Sequence, residues 1–243
     1  MNIGERLQLL FRAWKYRYKN DKGGIAYLLS SIRSGETVLD IGAHKGGYLY
    51  YMQKQVGKEG QVFAFEPQSR LFNYLGGIKQ EMAWSQVHLH HLALSDQPGT
   101  FTLYIPSNKK SKATSPGASL LRSVIKDSEL SEEVRTQTLD AFCQEKNIVP
   151  NLIKLDVEGN ELKVFEGGRA ILEKHKPHIL VECEARHVGK EQVLATFDYL
   201  IKMGYSGRFI RDDKQLPLSD FRFEEHQEPG SKPYCNNFIF EAR

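Results

Sequence analysis

The sequence predicts an α/β fold, a doubly wound and mainly parallel sheet of six or seven strands with helices on both faces. Two observations carry this expectation. Past residue 35, short runs rich in β-branched and aromatic residues alternate with amphipathic helical patterns. The first such run, Thr37-Val38-Leu39-Asp40-Ile41, passes directly into a turn with glycines at 42, 46 and 47. Open parallel sheets hold their ligands beyond strand ends of this kind.

The elements follow in order. A helical stretch runs from the glycine turn to Val56, and Gly57 and Gly60 bracket the turn into a second strand, Gln61 to Glu66. Gln68 to Met82 reads as a helix and Val87 to Leu94 as a third strand. Leu152 to Asp156 is a fourth, followed by helix-forming Glu161 to Lys174, a fifth strand from His178 to Glu182 and a helix from Glu191 to Met203. Tyr205 to Ile210 and Asn237 to Glu241 read as late strands. Between the third and fourth strands lies an insertion of about fifty residues, where such units ordinarily use about 2–6. It is expected to carry a β-ribbon, Phe101 to Ile105 with Val134 to Leu139, around the polar segment 106–119, which has the composition of a disordered loop or a lid.

Composition narrows the classes of function. The chain has 243 residues, enough for a hydrophobic core without disulfide or metal staples, and no linker divides it. With 33 Lys and Arg against 30 Asp and Glu, the net charge of +3 is too small to argue for nucleic acid. Cys143, Cys183 and Cys235 lie far apart, so neither a disulfide framework nor a zinc ribbon is supported, and a reducing cytoplasm is the expected location. No run approaches the roughly 18 apolar residues of a membrane-spanning helix. Residues 1–34 read as a helical extension of a single domain spanning 35–243. Within it Leu7, Leu10, Phe11, Trp14 and Tyr18 form one apolar stripe with Arg12, Lys15, Arg17 and Lys19 mostly elsewhere. The expectation is a helix docked on the domain by that stripe, with contact to a membrane surface or a partner as the alternative.

The strand ends carry the chemistry. Glycines after the first strand let backbone approach a ligand, and the helix that follows offers N–H donors at its N-terminus. The second strand closes on Glu66-Pro67, where a carboxylate can accept hydrogen bonds from both hydroxyls of a ribose. A dinucleotide fold wants G-x-G-x-x-G, whereas this turn reads D-x-G-x-x-x-G. An acid two residues before the first glycine would repel a pyrophosphate and suits a ligand bearing an ammonium group, which points to S-adenosylmethionine.

Several blocks together resemble the FkbM family of S-adenosylmethionine-dependent methyltransferases: VLDIGAHKGGYLYYM, the FEP at Phe65 to Pro67, the ALSD at Ala93 to Asp96, the TLDAF at Thr138 to Phe142, and NLIKLDVEGNELKVFEGG at Asn151 to Gly168. The resemblance implies a class I methyltransferase sheet, Rossmann-like with an antiparallel last strand, and transfer of a methyl group to a hydroxyl of a small acceptor such as a sugar, glycan or secondary metabolite. It implies a donor site made of Asp40, Gly42, Ala43, His44, Gly46 and Tyr48 in the turn, Glu66 and Pro67 at the ribose, Ala93, Leu94 and Ser95 near the adenine, and Asp156. One departure stands out, since the position of His44 is usually Asn in the family.

Methyl transfer to oxygen needs the hydroxyl to lose its proton. Asp156 and Glu158 close the fourth strand two residues apart, so an extended chain would turn both carboxylates to one side. They read as a base with an acceptor-positioning group, as a divalent-cation site with Asn160, or with Glu158 as a helix cap; metal independence is the expectation. Glu182-Cys183-Glu184-Ala185-Arg186-His187 closes the fifth strand with a density of titratable groups that reads either as a functional cleft, with His187 a further candidate base, or as a solvated loop. Lys109, Lys110 and Lys112 read either as an attraction for an anionic acceptor or as a solvated charge run, and Asn236 and Asn237 either line the cleft or form a turn. A silent S-adenosylmethionine-binding module and an NAD-type oxidoreductase are the alternative functions.

Overall fold

The computed structural model describes residues 3–106, 118–121 and 128–242. The segment holding Lys109, Lys110 and Lys112 therefore lies outside the described residues. Two helices, α1 (Ile3–Lys15) and α2 (Lys22–Ser31), are joined by a π-helical turn, Tyr16–Asn20. The core alternates as the sequence predicts, with β1 (Thr37–Ile41), α3 (Gly47–Val56), β2 (Gln61–Phe65), α4 (Ser69–Glu81) and β3 (Val87–His90). After the insertion comes α5 (Leu139–Lys146).

The insertion contains β4 (Ala93–Leu94), β5 (Gly99–Pro106) and β6 (Ser128–Gln137), a separate three-stranded sheet ordered β4-β6-β5. The second half of the chain contributes β7 (Leu152–Leu155), α6 (Glu161–Glu166), α7 (Arg169–His175), β8 (His178–Glu182), α8 (Ala185–Val188), α9 (Lys190–Lys202), β9 (Tyr205–Arg211), β10 (Lys214–Pro217), α10 (Phe223–His226) and β11 (Asn237–Ala242). The main sheet runs β10-β9-β11-β8-β7-β1-β2-β3, eight strands where six or seven were expected, because β10 pairs with β9 as an added edge strand. β11 pairs antiparallel with both β8 and β9, while the strands from β8 to β3 are parallel. The order reverses at β1 and β7, so their carboxyl ends border the crevice.

Three expectations change in detail. The third strand is two strands: after His90 the chain leaves the main sheet, and Ala93–Leu94 pair with Thr136–Gln137 instead. The ribbon's second strand ends at Gln137 because Thr138 caps α5, its hydroxyl accepting from the Ala141 N–H at 3.2 Å. The helix expected from Glu161 to Lys174 breaks at Gly167-Gly168, where a Cβ on Gly167 would lie 2.2 Å from the Ser95 carbonyl oxygen, so that the chain passes close against β4.

The N-terminal helix docks by a different face from the one expected. Leu9 and Ala13 are buried in the same apolar cluster as Val38, Tyr48, Leu49 and Leu152, whereas Leu7 (59% exposed), Phe11 (64%), Trp14 (44%) and Tyr18 (51%) face outward. α1 packs against α3, and Arg12 fixes the orientation by donating to the Lys45 carbonyl at 2.8 Å and to the Tyr74 hydroxyl at 3.1 Å. No helix among the described residues is long and apolar enough to cross a membrane.

This geometry makes opposite forecasts for neighbouring residues. Leu9→Ala should cost about 2–4 kcal/mol in urea denaturation, and Phe11→Ala should stay within about 0.5 kcal/mol of wild type. A larger cost at Phe11 than at Leu9 would contradict the docking described.

Candidate functional site

A cleft opens over the carboxyl ends of β1, β2 and β7. Its floor is the glycine turn. Gly42 has φ +84°, and a Cβ there would sit 1.8 Å from the Asp156 carbonyl oxygen, so only glycine lets β1 and β7 close together at this point. The N–H groups of Gly42 and Ala43 both donate to the Phe65 carbonyl, at 3.0 and 2.9 Å, and that of His44 donates to Glu66 Oε2 at 2.7 Å. These three donors of the turn thus tie it to the end of β2 and do not reach into the cleft.

Glu66 is buried, and its other oxygen accepts from the Gln68 N–H at 2.9 Å. Burial pushes its carboxyl up to about 7, against the pull of those two backbone donors. Each oxygen keeps a lone pair for a further donor. Pro67 and Gln68 continue this wall, and Leu92, Ala93 and Leu94 make an apolar one beside it. Leu103 of β5, with Ala118 and Leu120, closes over that wall, so the inserted sheet contributes part of the cleft. These residues were not singled out in the sequence; the alternation of Leu103 and Ile105 with Thr102 and Tyr104 is the signal that finds Leu103.

Beneath the turn lies a buried ammonium that the sequence reading passed over. Lys154, on β7, is 5% exposed, sits opposite Asp40 in the β1–β7 register, donates to Asp156 Oδ2 at 3.2 Å and reaches the Gly42 carbonyl at 3.5 Å. Burial opposes its charge, but Asp156, Asp40 and Glu182 outweigh burial and hold it above the ordinary lysine range. Asp40 is fully buried, and neither of its oxygens has a hydrogen-bond partner among the described residues. Burial raises its carboxyl to about 6 although Lys154 pulls the other way. The Lys154 ammonium also lies 5.2 Å from the Tyr48 ring centroid. Tyr48 in turn donates to Asp21, which also accepts from the Gly24 N–H and so caps α2. Tyr16 packs edge-on against Tyr48 and lines the cleft.

The far wall comes from β7, β8 and the turns after them. The chain does not stay extended past Leu155. Glu158 has φ +53°, and the Gly159 N–H donates to Glu161 Oε1 at 2.8 Å, so Asp156 and Glu158 are set by a tight turn and not by strand alternation. Both still line the cleft. Glu158 Oε2 lies 3.1 Å from His187 Nδ1, which brings the two candidate bases into one pair. Burial, then Asp156, Glu184 and Glu161, push the Glu158 carboxyl up; burial pushes His187 down. Glu182 and Arg186 complete this wall. Asn236 donates to Glu182 and to Glu184, so it backs the wall. Asn160 donates to the Leu94 carbonyl at 3.2 Å and to Ser95 Oγ at 3.3 Å, fastening the turn to β4. No cluster of three or more His, Cys, Asp or Glu arranged to hold a metal occurs among the described residues.

Of the residues named from the sequence, Gly42, His44, Glu66, Pro67, Ala93, Leu94, Asp156 and Glu158 line the cleft. Asp40, Ala43, Gly46, Tyr48 and Ser95 stand behind its surface: Ala43 is buried in the apolar core, Gly46 begins α3 against Leu75, and Ser95 donates to Asp96 at 2.9 Å. His187 joins the site through Glu158.

Residues 40–207 match the family model described as the methyltransferase FkbM domain. No curated protein matches the chain. Among solved structures the chain is similar to methyltransferase FkbM from Methylobacillus flagellatus KT, with 15% identity, a TM-score of 0.56 and coverage of 99% of this chain and 56% of that one. It is also similar to the O-methyltransferase from Bacillus cereus in complex with SAH, with 12% identity, a TM-score of 0.54 and coverage of 99% and 90%. At these identities the likeness is one of fold. The chain spans only about half the length of the Methylobacillus structure.

The buried carboxylates set a pH dependence. Asp40 holds its proton more tightly folded, at about 6, than unfolded, near 3.8. Its share of the free protein's stability is therefore complete below the unfolded value and is lost as pH rises through about 6. Asp40→Asn should raise the unfolding free energy of the unliganded protein near neutral pH by on the order of 1–2 kcal/mol and flatten the fall between about pH 4 and 6. Urea midpoints measured across that range check the sign.

Proposed function

The chain belongs to the FkbM methyltransferase family, and on that premise we propose that it transfers a methyl group from S-adenosylmethionine to a hydroxyl oxygen of a small acceptor, a sugar, glycan or secondary metabolite. The observation that carries the choice of oxygen is the Glu158–His187 pair at 3.1 Å in the wall of the cleft that also holds Asp156. A pair of this kind can take up the proton that a hydroxyl must lose.

The cleft fits the donor. S-adenosylmethionine supplies, when bound, a methyl group on a cationic sulfonium together with an ammonium, a ribose and an adenine. Glu66, with a free lone pair on each oxygen, would take the ribose hydroxyls, and Leu92, Ala93 and Leu94 offer the apolar wall an adenine needs. Asp156 at the cleft surface, backed by the unpartnered Asp40 carboxylate, favours the two cationic groups. His44 supports a backbone role for its position. Its φ of +48° lies in the left-handed region, which Asn and His enter more readily than most residues, and its N–H anchors Glu66. Its ring also lines the cleft with Nε2 buried and unpartnered. Burial, aided by Lys45, lowers it to about 4, so the ring is neutral near pH 7 and adds no positive charge beside a cationic donor.

In the reaction the chain's own groups have three tasks. The glycine turn and Glu66 fix the donor's position, since displacement at carbon needs the acceptor oxygen in line with the bond that breaks. Glu182 and Arg186 line the remaining wall and would offer hydrogen-bonding groups to the acceptor. The Glu158–His187 pair receives the hydroxyl proton, with the imidazole's second nitrogen beside Arg186 Nε at 3.2 Å. The raised affinity of Glu158 for a proton makes it a stronger base than a solvated carboxylate.

Calorimetry should show binding of S-adenosylmethionine or its demethylated product at sub-millimolar levels, and Glu66→Ala should weaken it by about tenfold or more. With labelled donor and a panel of hydroxylated acceptors, Glu158→Gln and His187→Ala should each lower kcat by roughly 10²–10⁴ while donor affinity stays within about threefold. Absence of donor binding would overturn the donor assignment. Undiminished turnover in both variants would overturn the choice of base.

A further inference from the structure

The outward stripe of the N-terminal segment is not consumed by the fold. Leu7, Phe11, Trp14 and Tyr18 are spaced four, three and four residues apart, which keeps them on one side of α1 and the turn after it. They are opposite the side that docks through Leu9 and Ala13, and each is between 44% and 64% exposed. Phe11 stacks on Trp14 at 5.9 Å between ring centroids and Trp14 lies 6.0 Å from Tyr18, so the stripe is a continuous aromatic strip and not a set of isolated side chains. Continuous exposed apolar strips are uncommon on soluble domains and mark contact surfaces.

The charges around the strip identify what it would contact. Arg17 lies 5.4 Å from the Tyr18 ring and 5.8 Å from that of Tyr51, and Lys19 lies 5.4 Å from the Trp14 ring. Arg6, Lys15 and Lys22 are exposed along the same segment. None of these five cations has a carboxylate partner among the described residues. Of the acids nearby, Asp21 is committed to Tyr48 and the cap of α2, while Asp212 and Asp213 share a surface hollow with Lys19 and Lys22 without forming an ion pair. An aromatic strip bordered by unneutralised Lys and Arg is complementary to a surface that is apolar below and anionic above.

We propose that α1 and the turn after it dock this protein on an anionic phospholipid surface, lying in the interface with Phe11 and Trp14 turned toward the acyl chains and the cations toward the headgroups. Aromatic rings of Trp and Tyr favour that depth. Each basic residue near an anionic leaflet adds attraction that salt screens. The element that would dock is also an element of the cleft, since Tyr16, between Trp14 and Tyr18, turns inward and lines it. Docking would hold the cleft at the surface by a rigid connection through the core. This inference does not depend on the acceptor or on the reaction.

The protein carries its own reporter. It has two tryptophans, Trp84 at 4% exposure and Trp14 at 44%, so a change in emission on adding lipid reports chiefly on Trp14. The full chain is mixed with vesicles of phosphatidylcholine alone or of phosphatidylcholine with phosphatidylglycerol, and binding is read by co-sedimentation and by the emission maximum. The expected result is binding to the anionic vesicles with a blue shift, at least about tenfold tighter than to the neutral ones and reversed by high salt. Phe11→Ser with Trp14→Ala, and separately Lys15→Glu with Lys19→Glu, should each reduce binding about tenfold or more with an unchanged circular dichroism spectrum. Equal or absent binding to the two vesicle types would overturn the proposal. So would a dimer in light scattering that the Phe11→Ser/Trp14→Ala pair dissolves, which would make the strip an interface between copies of the chain.

Discussion

The buried ammonium of Lys154 is the constraint on which the site depends. Its neighbours on β7, Ile153 and Leu155, face the other side of the sheet into the larger apolar cluster, and its own side shares the region with Tyr48 and Tyr16. An unpaired ammonium there would cost several kcal/mol. Asp156 pairs with it directly, and Asp40 and Glu182 add to its charge stabilisation. One cation thus gathers the ends of three adjacent strands, β1, β7 and β8, by electrostatics. Its reach to the Gly42 carbonyl couples the same charge to the turn that forms the cleft floor.

The N-terminal segment belongs to this arrangement. Leu9, Ala13, Ile25, Tyr27 and Leu28 share an apolar cluster with the β1 residue Val38 and the α3 residues Leu49 and Met52. The polar side of the same contact is Asp21 accepting from the Tyr48 hydroxyl, with Tyr16 against the Tyr48 ring. Burial lifts both tyrosines well away from ionisation, so this is a neutral donor meeting a carboxylate. The connection passes from α2 through Tyr48 to Lys154 and the cleft. A disturbance of the N-terminal segment has a physical route to the donor side of the site, which a helix merely appended to a finished domain would lack.

Legibility in the sequence follows the kind of force involved. Parallel strands buried on both faces must be apolar throughout, so Thr37–Ile41, Gln61–Phe65 and His178–Glu182 were readable to within a residue or so. Gly42, Glu66, Asp156 and Glu158 were readable because a strand end in such a sheet faces the crevice. What escaped was decided by distant partners. Lys154 resembles a solvent-facing residue until Asp40 is seen beside it in register. The turn at Glu158 depends on Glu161 accepting the Gly159 N–H, and the loss of β3 after His90 depends on a pairing with Thr136 and Gln137 that lies over forty residues away. In the N-terminal helix two apolar stripes compete, and the larger one is left outside. The core beside α3 accepts Leu9 and Ala13, and Arg12 is placed to bond the Lys45 carbonyl only in that orientation. Hydrophobicity along a helix measures what a face can contact and does not say which contact the fold supplies.

The cleft and the layer beneath it hold more acidic groups than their own basic groups answer. Asp40, Glu66 and Glu158 are all pushed up in proton affinity, first by burial, and Asp156 adds to this at each of them. Lys154 answers part of that negative charge but lies beneath the floor, and Arg186 is drawn to Glu184 at both ends of its guanidinium. His44, the remaining basic group at the floor, stays neutral. Folding therefore leaves an excess of carboxylate around an apolar-walled space, at a cost to the stability of the free protein. A ligand bearing positive charge relieves the repulsion and restores the acids to their ionised state. A neutral nucleoside of the same shape would gain the ribose contacts and the apolar wall without that relief. On the proposed donor assignment, that difference would be a source of selectivity for a cationic donor over its neutral fragments, set before any contact to the transferred group is made.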